Sequence, residues 1–461
     1  MRKILLGTTA VIGAALLSTG AMAQGTTAGT GTLSPGAQGG QGATLTAAPA
    51  PSVAGAGGLS VRLGGYFEFS GALIQDDNDY ARTRNARGGV NNANARNRST
   101  FRNDAELNVF IDGRAANGMT YGAVFEFQVD NAATGAGDGT TVSMDELYGF
   151  IALPNLGRLY FGQEDSAASL LQIRAPGAGA LGGDAVWDEF IVQQGLFSSP
   201  YLTSGINDGS DATKIGYLSP QFAGFDFGIS YAFDSGEGER TNVANSTSAQ
   251  RDRTGIENEI AVGLRYRGTF GPVGVSAGLA AMRADAPRLS ATGAAIDPRA
   301  QTVEAYQIGA QIAAYGFAVG AEYVFGQYNG SSVGRSALNP GLDNSWHYIV
   351  GATYTMGPLV FGAIFGQAEQ DNGSANFGTA AAPAIRDLED RKHTIWGIGV
   401  LYNVAPGLGV YLAYNNINDD NIPTAAPRDA RYGGGGTTLA TFNGQNTRTI
   451  NMGMAGIRLA F

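Results

Sequence analysis

The residues of this chain that could do chemistry are few and mostly of one kind. It has no cysteine and only two histidines, His347 and His393. Thiolate nucleophiles, disulfides and thiolate metal sites are therefore excluded, and no nucleophile motif brackets either histidine. His347, beside Trp346, reads as a polar residue of an interior or an interface. Gly177-Ala178-Gly179-Ala180-Leu181-Gly182 matches the spacing G-x-G-x-x-G, but Pro176 precedes it and no βαβ unit surrounds it. In a chain with 70 glycines such spacing arises by chance. What remains is charge, recurring at alternate positions of otherwise apolar segments. Fixed charges so arranged orient polar solutes and bias the passage of ions. Neither a metal nor a cofactor is expected, and no bond is made or broken.

Such charges need an element that presents them to one side, and a period of two supplies it. In Phe225-Asp226-Phe227-Gly228-Ile229-Ser230-Tyr231-Ala232-Phe233 the odd positions are large and apolar and the even ones small or polar. This is a strand with two unlike faces. Residues 121–130 repeat the pattern around Glu126, and residues 101–111 set Arg102, Asp104, Glu106 and Asn108 against the apolar face. At the end of the chain Ala455, Ile457, Leu459 and Phe461 share one side, with Gly456 and Arg458 on the other. Sixteen such strands are read, near 60–74, 100–113, 118–130, 141–153, 157–163, 212–219, 223–234, 256–268, 271–283, 301–314, 316–328, 344–356, 358–369, 391–404, 408–417 and 448–461.

The connections alternate between short turns, such as Pro154-Asn155-Leu156 and Pro406-Gly407, and long polar loops, such as 75–99 and 418–447. A soluble sandwich has no reason to sort its loops in this way, whereas transmembrane barrels do. A strand in lipid satisfies its backbone only through its neighbours, and only a closed barrel leaves no edge. Sixteen strands enclose an aqueous lumen. The expected fold is all-β, a 16-stranded antiparallel transmembrane β-barrel, with Trp346, Tyr354, Trp396 and Tyr402 near strand ends as interfacial girdles.

Residues 1–23 read as a signal peptide: Arg2 and Lys3, an apolar run from Ile4 to Leu17, then Ala21-Met22-Ala23. Residues 24–58 carry no charge and read as a disordered Gly/Ala/Thr/Pro-rich linker. The barrel takes residues 59–461. Removing the signal makes the mature chain more acidic than its formal charge of -10, a balance that repels nucleic acid and gathers cations. The segment after the fifth strand, from Glu164 to about Ala212, is the longest connection. It carries Leu170, Leu171, Ile173, Leu181, Val186, Trp187, Phe190 and Ile191, so it is expected to pack against something.

The chain resembles the Gram-negative general porins, most closely those of alphaproteobacteria, across essentially all of 59–461. The stretches that carry the resemblance are Asp145-Glu146-Leu147-Tyr148-Gly149-Phe150 with Leu156-Gly157-Arg158-Leu159-Tyr160-Phe161-Gly162-Gln163, the run from Lys214 to Phe225, and the terminal Phe461. The resemblance implies a homotrimer in the outer membrane and a role for the last aromatic residue in assembly. It also implies an inward-folded constriction loop after strand 5. That loop would bring Asp184, Asp188 and Glu189 to the narrowest point, opposite wall residues Arg62, Arg102, Arg158 and Lys214, with Glu106 and Glu126 on the same wall. Residues 24–58 depart from the family pattern, in which the first strand follows the signal closely. The expected function is passive diffusion of ions and small hydrophilic solutes with a preference for cations. A substrate-selective channel of the same fold, or a structural or adhesive barrel, is the alternative.

Overall fold

The computed structural model describes residues 52–54, 58–77, 97–130, 141–177, 205–206, 212–235, 255–288, 301–328, 340–378, 384–422 and 446–461, together with Leu181, Trp187, Phe190, Ile191, Leu338 and Ala382. Sixteen long strands dominate. The first eight are β1 (Ser60–Asp76), β2 (Ser99–Arg114), β3 (Thr120–Asp130), β4 (Thr141–Leu153), β5 (Gly157–Gln163), β6 (Thr213–Leu218), β7 (Phe225–Asp234) and β8 (Glu257–Phe270). They are followed by β9 (Val273–Asp285), β10 (Val303–Ala314), β11 (Phe317–Gln327), β12 (Ser345–Met356), β13 (Leu359–Gln370), β14 (Arg391–Ala405), β15 (Leu408–Ile422) and β16 (Asn446–Ala460). One short helix, α1 (Ala167–Leu171), follows β5. Among the described residues no helix is long and apolar enough to cross a membrane.

Each strand pairs antiparallel with the next, and the circle closes: β16 pairs with β1 from Ile450↔Asp76 to Ala460↔Tyr66. Past the last pair, Gly65 and Phe461 exchange backbone hydrogen bonds of 3.1 Å in both directions. Directly opposed residues share a sheet face, so one face can be followed around the barrel. Glu68 faces Asp104, Asn108 faces Glu126, Val124 faces Tyr148 and Tyr160 faces Gly216. The same face continues through Gly216 opposite Ser230, Gln307 opposite Val324, and His393 opposite Asp419. It returns through Arg458 to Glu68. The register shifts locally between Phe125 and Phe127 of β3, where β4 carries an extra residue at Asp145–Glu146, and near the ends of three other strand pairs, yet the polar set stays together.

The opposite face is apolar and bare. Leu73, Phe101, Phe227, Ile308, Ile398 and Leu412 are all exposed on it, Phe101 to 76%. A monomer in water would not leave such a belt open, and lipid is the solvent that fits it. Aromatic rings mark both margins. At the long-loop end Tyr306, Phe325, Tyr323, Trp346 and Tyr348 run ring to ring across β10 to β12. At the short-turn end Phe317 pairs with Tyr354 and Phe225 with Tyr266. Phe317 and Phe325 on β11 lie about 27 Å apart along the strand at ~3.4 Å per residue. A tilt of about 40° makes that roughly 20 Å of height, comparable to an apolar band in an outer membrane.

The short connections are tight hairpins. Between Ala314 and Phe317, which oppose each other, Tyr315 and Gly316 have φ of 53° and 85°, the doubly positive turn that suits strand twist. Strand boundaries agree with the expected ones to within two residues except at one long-loop end. There β15 continues past 417 to Ile422, and Asp419 still opposes Arg448. A strand that leaves lipid no longer needs an apolar face, so the alternation that betrays it ends before the strand does. A small hairpin, Ser374–Asn376 with Ile385–Asp387, lies within a connection read as loop. In the segment read as linker, Ser52–Ala54 pairs with the start of β1, Ser52↔Arg62 to Ala54↔Ser60. Residues 1–51 lie outside the described residues.

Candidate functional site: the inner wall

The inner face divides into two sectors. The first, on β1 to β8 with β15 and β16, is crowded with charge. Near its short-turn end Arg62 donates to Asp112 Oδ2 through Nη2 at 2.7 Å and Nε at 3.1 Å, with its guanidinium 4.9 Å from the Phe110 ring. Midway, Tyr66 donates to Asp104 Oδ2 at 3.0 Å and Arg102 reaches the same carboxylate at 3.4 Å. Arg458 stacks 3.9 Å over the Tyr66 ring and lies 3.5 Å from Glu68, which also accepts from Tyr411 at 2.7 Å. Next round, Asn108 donates to Glu106 at 2.6 Å, and carboxylate oxygens of Glu106, Glu126 and Asp145 lie within 4.8 Å of one another.

Arg158 lies over the rings of Tyr148 and Phe150 at 5.4 and 4.7 Å, and Lys214 Nζ donates to the backbone carbonyl of Glu164. Asp226 takes Arg265 in a bidentate pair of 3.1 and 2.6 Å and Arg267 at 3.1 Å. Arg265 also reaches the Leu170 carbonyl at 3.2 Å, joining this sector to the segment after β5. Arg62, Arg102, Glu106, Glu126, Arg158 and Lys214 thus all sit on the inner face. Glu106, Glu126 and Lys214 are buried there, Glu126 fully.

The second sector, on β9 to β14, carries chiefly Gly, Ala, Ser, Gln and Ile. The described part of the segment after β5 lies against it, approached across β7 and β8. Ser166 caps α1 through its side chain at 3.2 Å, and the Ala167 amide donates to Ser230 on β7 at 2.9 Å. Gln307 donates to the Ile173 carbonyl at 2.6 Å and Gln311 to the Arg174 carbonyl at 2.5 Å. Further along, Leu181, Trp187, Phe190 and Ile191 join Ile349, Ile364 and Ile395 of this sector, and Ile417, Ile450 and Ile74 of β15, β16 and β1, in one buried cluster. The return limb is held by Gln172, whose side-chain amide accepts from Ile206 N at 2.7 Å and donates to Ile206 O at 3.1 Å.

Gln172, Gln307 and Gln311 are the residues that sequence reasoning missed. The spacing of the last two puts them on one strand face, but no pattern names backbone carbonyls 134 and 137 residues away as their partners. Asp184, Asp188 and Glu189 lie outside the described residues. His347 is buried with Nδ1 3.2 Å from Tyr328 Oη, and His393 is buried between Arg391 and Arg448. Both fill polar positions of the wall.

An unbroken ring of sixteen strands, greasy outside and charged within, is a transmembrane β-barrel with a hydrophilic interior. The model of the Gram-negative porin family matches residues 8–422, and the chain belongs to that family, a pore-forming barrel of the outer membrane. Solved structures repeat the fold at low identity. OmpT of Vibrio cholerae with its loop L8 deleted has a TM-score of 0.51 and 13% identity, over 88% of this chain and 100% of that one. The outer membrane channel DcaP of Acinetobacter baumannii has 0.50 and 13%, over 89% and 99%. An anion-selective porin from Comamonas acidovorans has 0.51 and 15%, over 87% and 100%. No curated protein matches the chain by sequence.

Proposed function

We propose that this porin is a general diffusion pore for ions and small hydrophilic solutes, preferring cations, whose narrow point is formed by the segment after β5. The observation that carries the reading is the division of the inner wall. Much of the wall that the segment covers is small or apolar, while Arg102, Asp104, Glu68 and Arg458 stand among the charges of β1, β2 and β16, so solute passes along them. On this reading Asp184, Asp188 and Glu189 face the same path. Opposed carboxylates and guanidiniums set a transverse field that holds water and dipolar solutes in one orientation. Wall cations and carboxylates are mixed, so the sign of the preference follows the acidic balance of the whole chain. The bare apolar belt suits a homotrimer as well as lipid. A cleaved signal peptide and kinship with alphaproteobacterial porins complete the reading.

Planar bilayer recording on the full-length protein tests it. Discrete conductance steps in groups of three are expected, together with a reversal potential across a KCl gradient that reports cation preference. Conductance should rise almost linearly with salt while the preference fades, as screening shortens the reach of the wall charges. Anion preference would reject the ion assignment. Block by a micromolar solute would move the protein to the substrate-selective class, and absence of any step would leave a structural barrel.

A further inference from the structure

Around the inner wall glycines occur in opposed pairs on adjacent strands: Gly228↔Gly263, Gly278↔Gly309 and Gly320↔Gly351. Gly263 is opposite Ala280 and Gly309 opposite Glu322. Each following pair is therefore one inward position nearer the short turns, and the three pairs make a diagonal track from β7 to β12. None of the six has a positive φ, so the backbone does not require glycine at these points. Glycine within a strand is otherwise unfavourable, and it often marks the close approach of another backbone.

That approach is present. A Cβ at Gly263 would lie 2.7 Å from Leu171 Cβ and 2.9 Å from the Ala167 carbonyl oxygen, and one at Gly278 would lie 2.9 Å from Ile173 Cγ1. At Gly309 it would lie 1.8 Å from the Ile173 carbonyl oxygen, and at Gly351 2.0 Å from that of Pro176. Gln307 and Gln311, on the strand that holds Gly309, draw the neighbouring carbonyls of Ile173 and Arg174 onto the wall.

We propose that this glycine track is the seat of the segment after β5. Its depth sets how far the segment stands off the wall, and so the calibre of the pore. The inference rests on the reading of that segment as the narrow point. The six glycines act as positioning residues: they touch the segment and leave the solute path to others. An added methyl at Gly309 requires the Ile173 carbonyl to retreat by about 1.5 Å to reach an ordinary carbon–oxygen contact of about 3.3 Å. With wall on one side, the only direction open is toward the lumen.

The test compares single-channel conductance and ion preference of the full-length protein with those of Gly309→Ala. Gly453→Ala serves as control, at a strand glycine where an added Cβ meets nothing within 4 Å. Heat-modifiable migration on a gel reports barrel closure independently. Smaller steps with altered ion preference are expected for G309A, and unchanged steps for G453A. If G309A does not close a barrel, Gly278→Ala carries the same test, because its contact is a movable side-chain carbon. Steps in the substituted pore as large as those of the parent, or larger, overturn the seat, as does an equal loss in G453A. A parent that gives no steps at all sinks the pore reading instead, so the two failures are distinguishable.

Discussion

The two sectors of the inner wall are built from the same strand geometry and hold opposite interiors. On β1 and β2, inward carboxylates have polar partners: Asp112 takes Arg62 and Asp104 takes Tyr66 across the strand gap, and Glu106 takes Asn108 along the same strand. On β9 to β14 the inward positions are chiefly glycine, alanine, glutamine and isoleucine, with Glu322, His347, Arg391 and His393 as exceptions, and the segment after β5 packs against many of them. A barrel of this width cannot be filled from its own wall. One half therefore stays wet and compensates its charges pairwise, while the other half gives up side-chain volume to receive a loop. If the segment is the narrow point, as proposed, the width of the pore is set by what the wall lacks on one side as much as by what it carries on the other.

The comparison breaks most directly at Trp187. It is 1% exposed and sits with Ile349, Ile395 and Ile417 at the far end of the segment. Truncating a buried Trp to Ala typically costs on the order of 3–5 kcal/mol. Here that loss falls on the contact holding the segment to the wall, not on the hydrogen-bonded barrel. Trp187→Ala should close a normal barrel yet give larger and noisier conductance steps. This is opposite in sign to the effect expected at Gly309, because an anchor is lost while the seat stays empty of any obstacle. Steps of parental size would mean that the segment is held elsewhere.

The charged sector is sharpened at Asp226, which lies where the two halves meet. Asp226→Asn removes the carboxylate charge that pairs with both Arg265 and Arg267 and leaves two inward cations without it. Breaking one partner of a buried pair is commonly worth about 3–5 kcal/mol, but both arginines keep some exposure to the lumen, so a smaller loss of thermal stability is expected. The reversal potential should move toward anions, and more so at low salt, where screening is weakest. A shift toward cations would show that Asp226 does not act on the path through its charge.

The barrel was legible because lipid and water enforce a period of two over whole strands: Phe225 to Phe233 reads unambiguously, and so does the pairing of apolar Ile457 with polar Arg458. Legibility ends where that pressure ends. Asn418 to Ile422 continue β15 with polar residues on both faces, and Ser374–Asn376 forms a hairpin with no lipid to sort its side chains. The segment after β5 announced through Leu171, Ile173 and Trp187 that it packs. Its seat was silent, because glycine in a strand is equally consistent with a bulge, a bend or an approaching backbone. The partners of Gln172, Gln307 and Gln311 were silent for a related reason: a side-chain amide serves any backbone group that comes within reach.

The smallest effect concerns the rim above the wall, where several acids gather around Lys392, itself 3.5 Å from Glu369. Asp390 precedes β14, and its carboxyl is raised above the ordinary range, first by burial and then by Asp371, Glu369 and Asp343, with Lys392 opposing. Asp371 in turn caps the amides of Asp343 at 2.7 Å and Gly373 at 2.6 Å, which keeps these acids together. A carboxyl whose folded value lies above its unfolded one binds its proton more tightly in the folded state. The penalty is thus fully present above the folded value and is relieved as pH falls through it. Mild acid should therefore raise the thermal midpoint of the rim slightly, and Asp390→Asn should show that gain already at neutral pH with a flatter dependence below it. Asp390 is half-buried, and the solvent beside it screens the neighbouring charges, so the shift is small and high salt should reduce it. A midpoint that falls in mild acid for the parent but not for Asp390→Asn would show that the proton is released there on folding, and that the rim is paired like the charged sector beneath it.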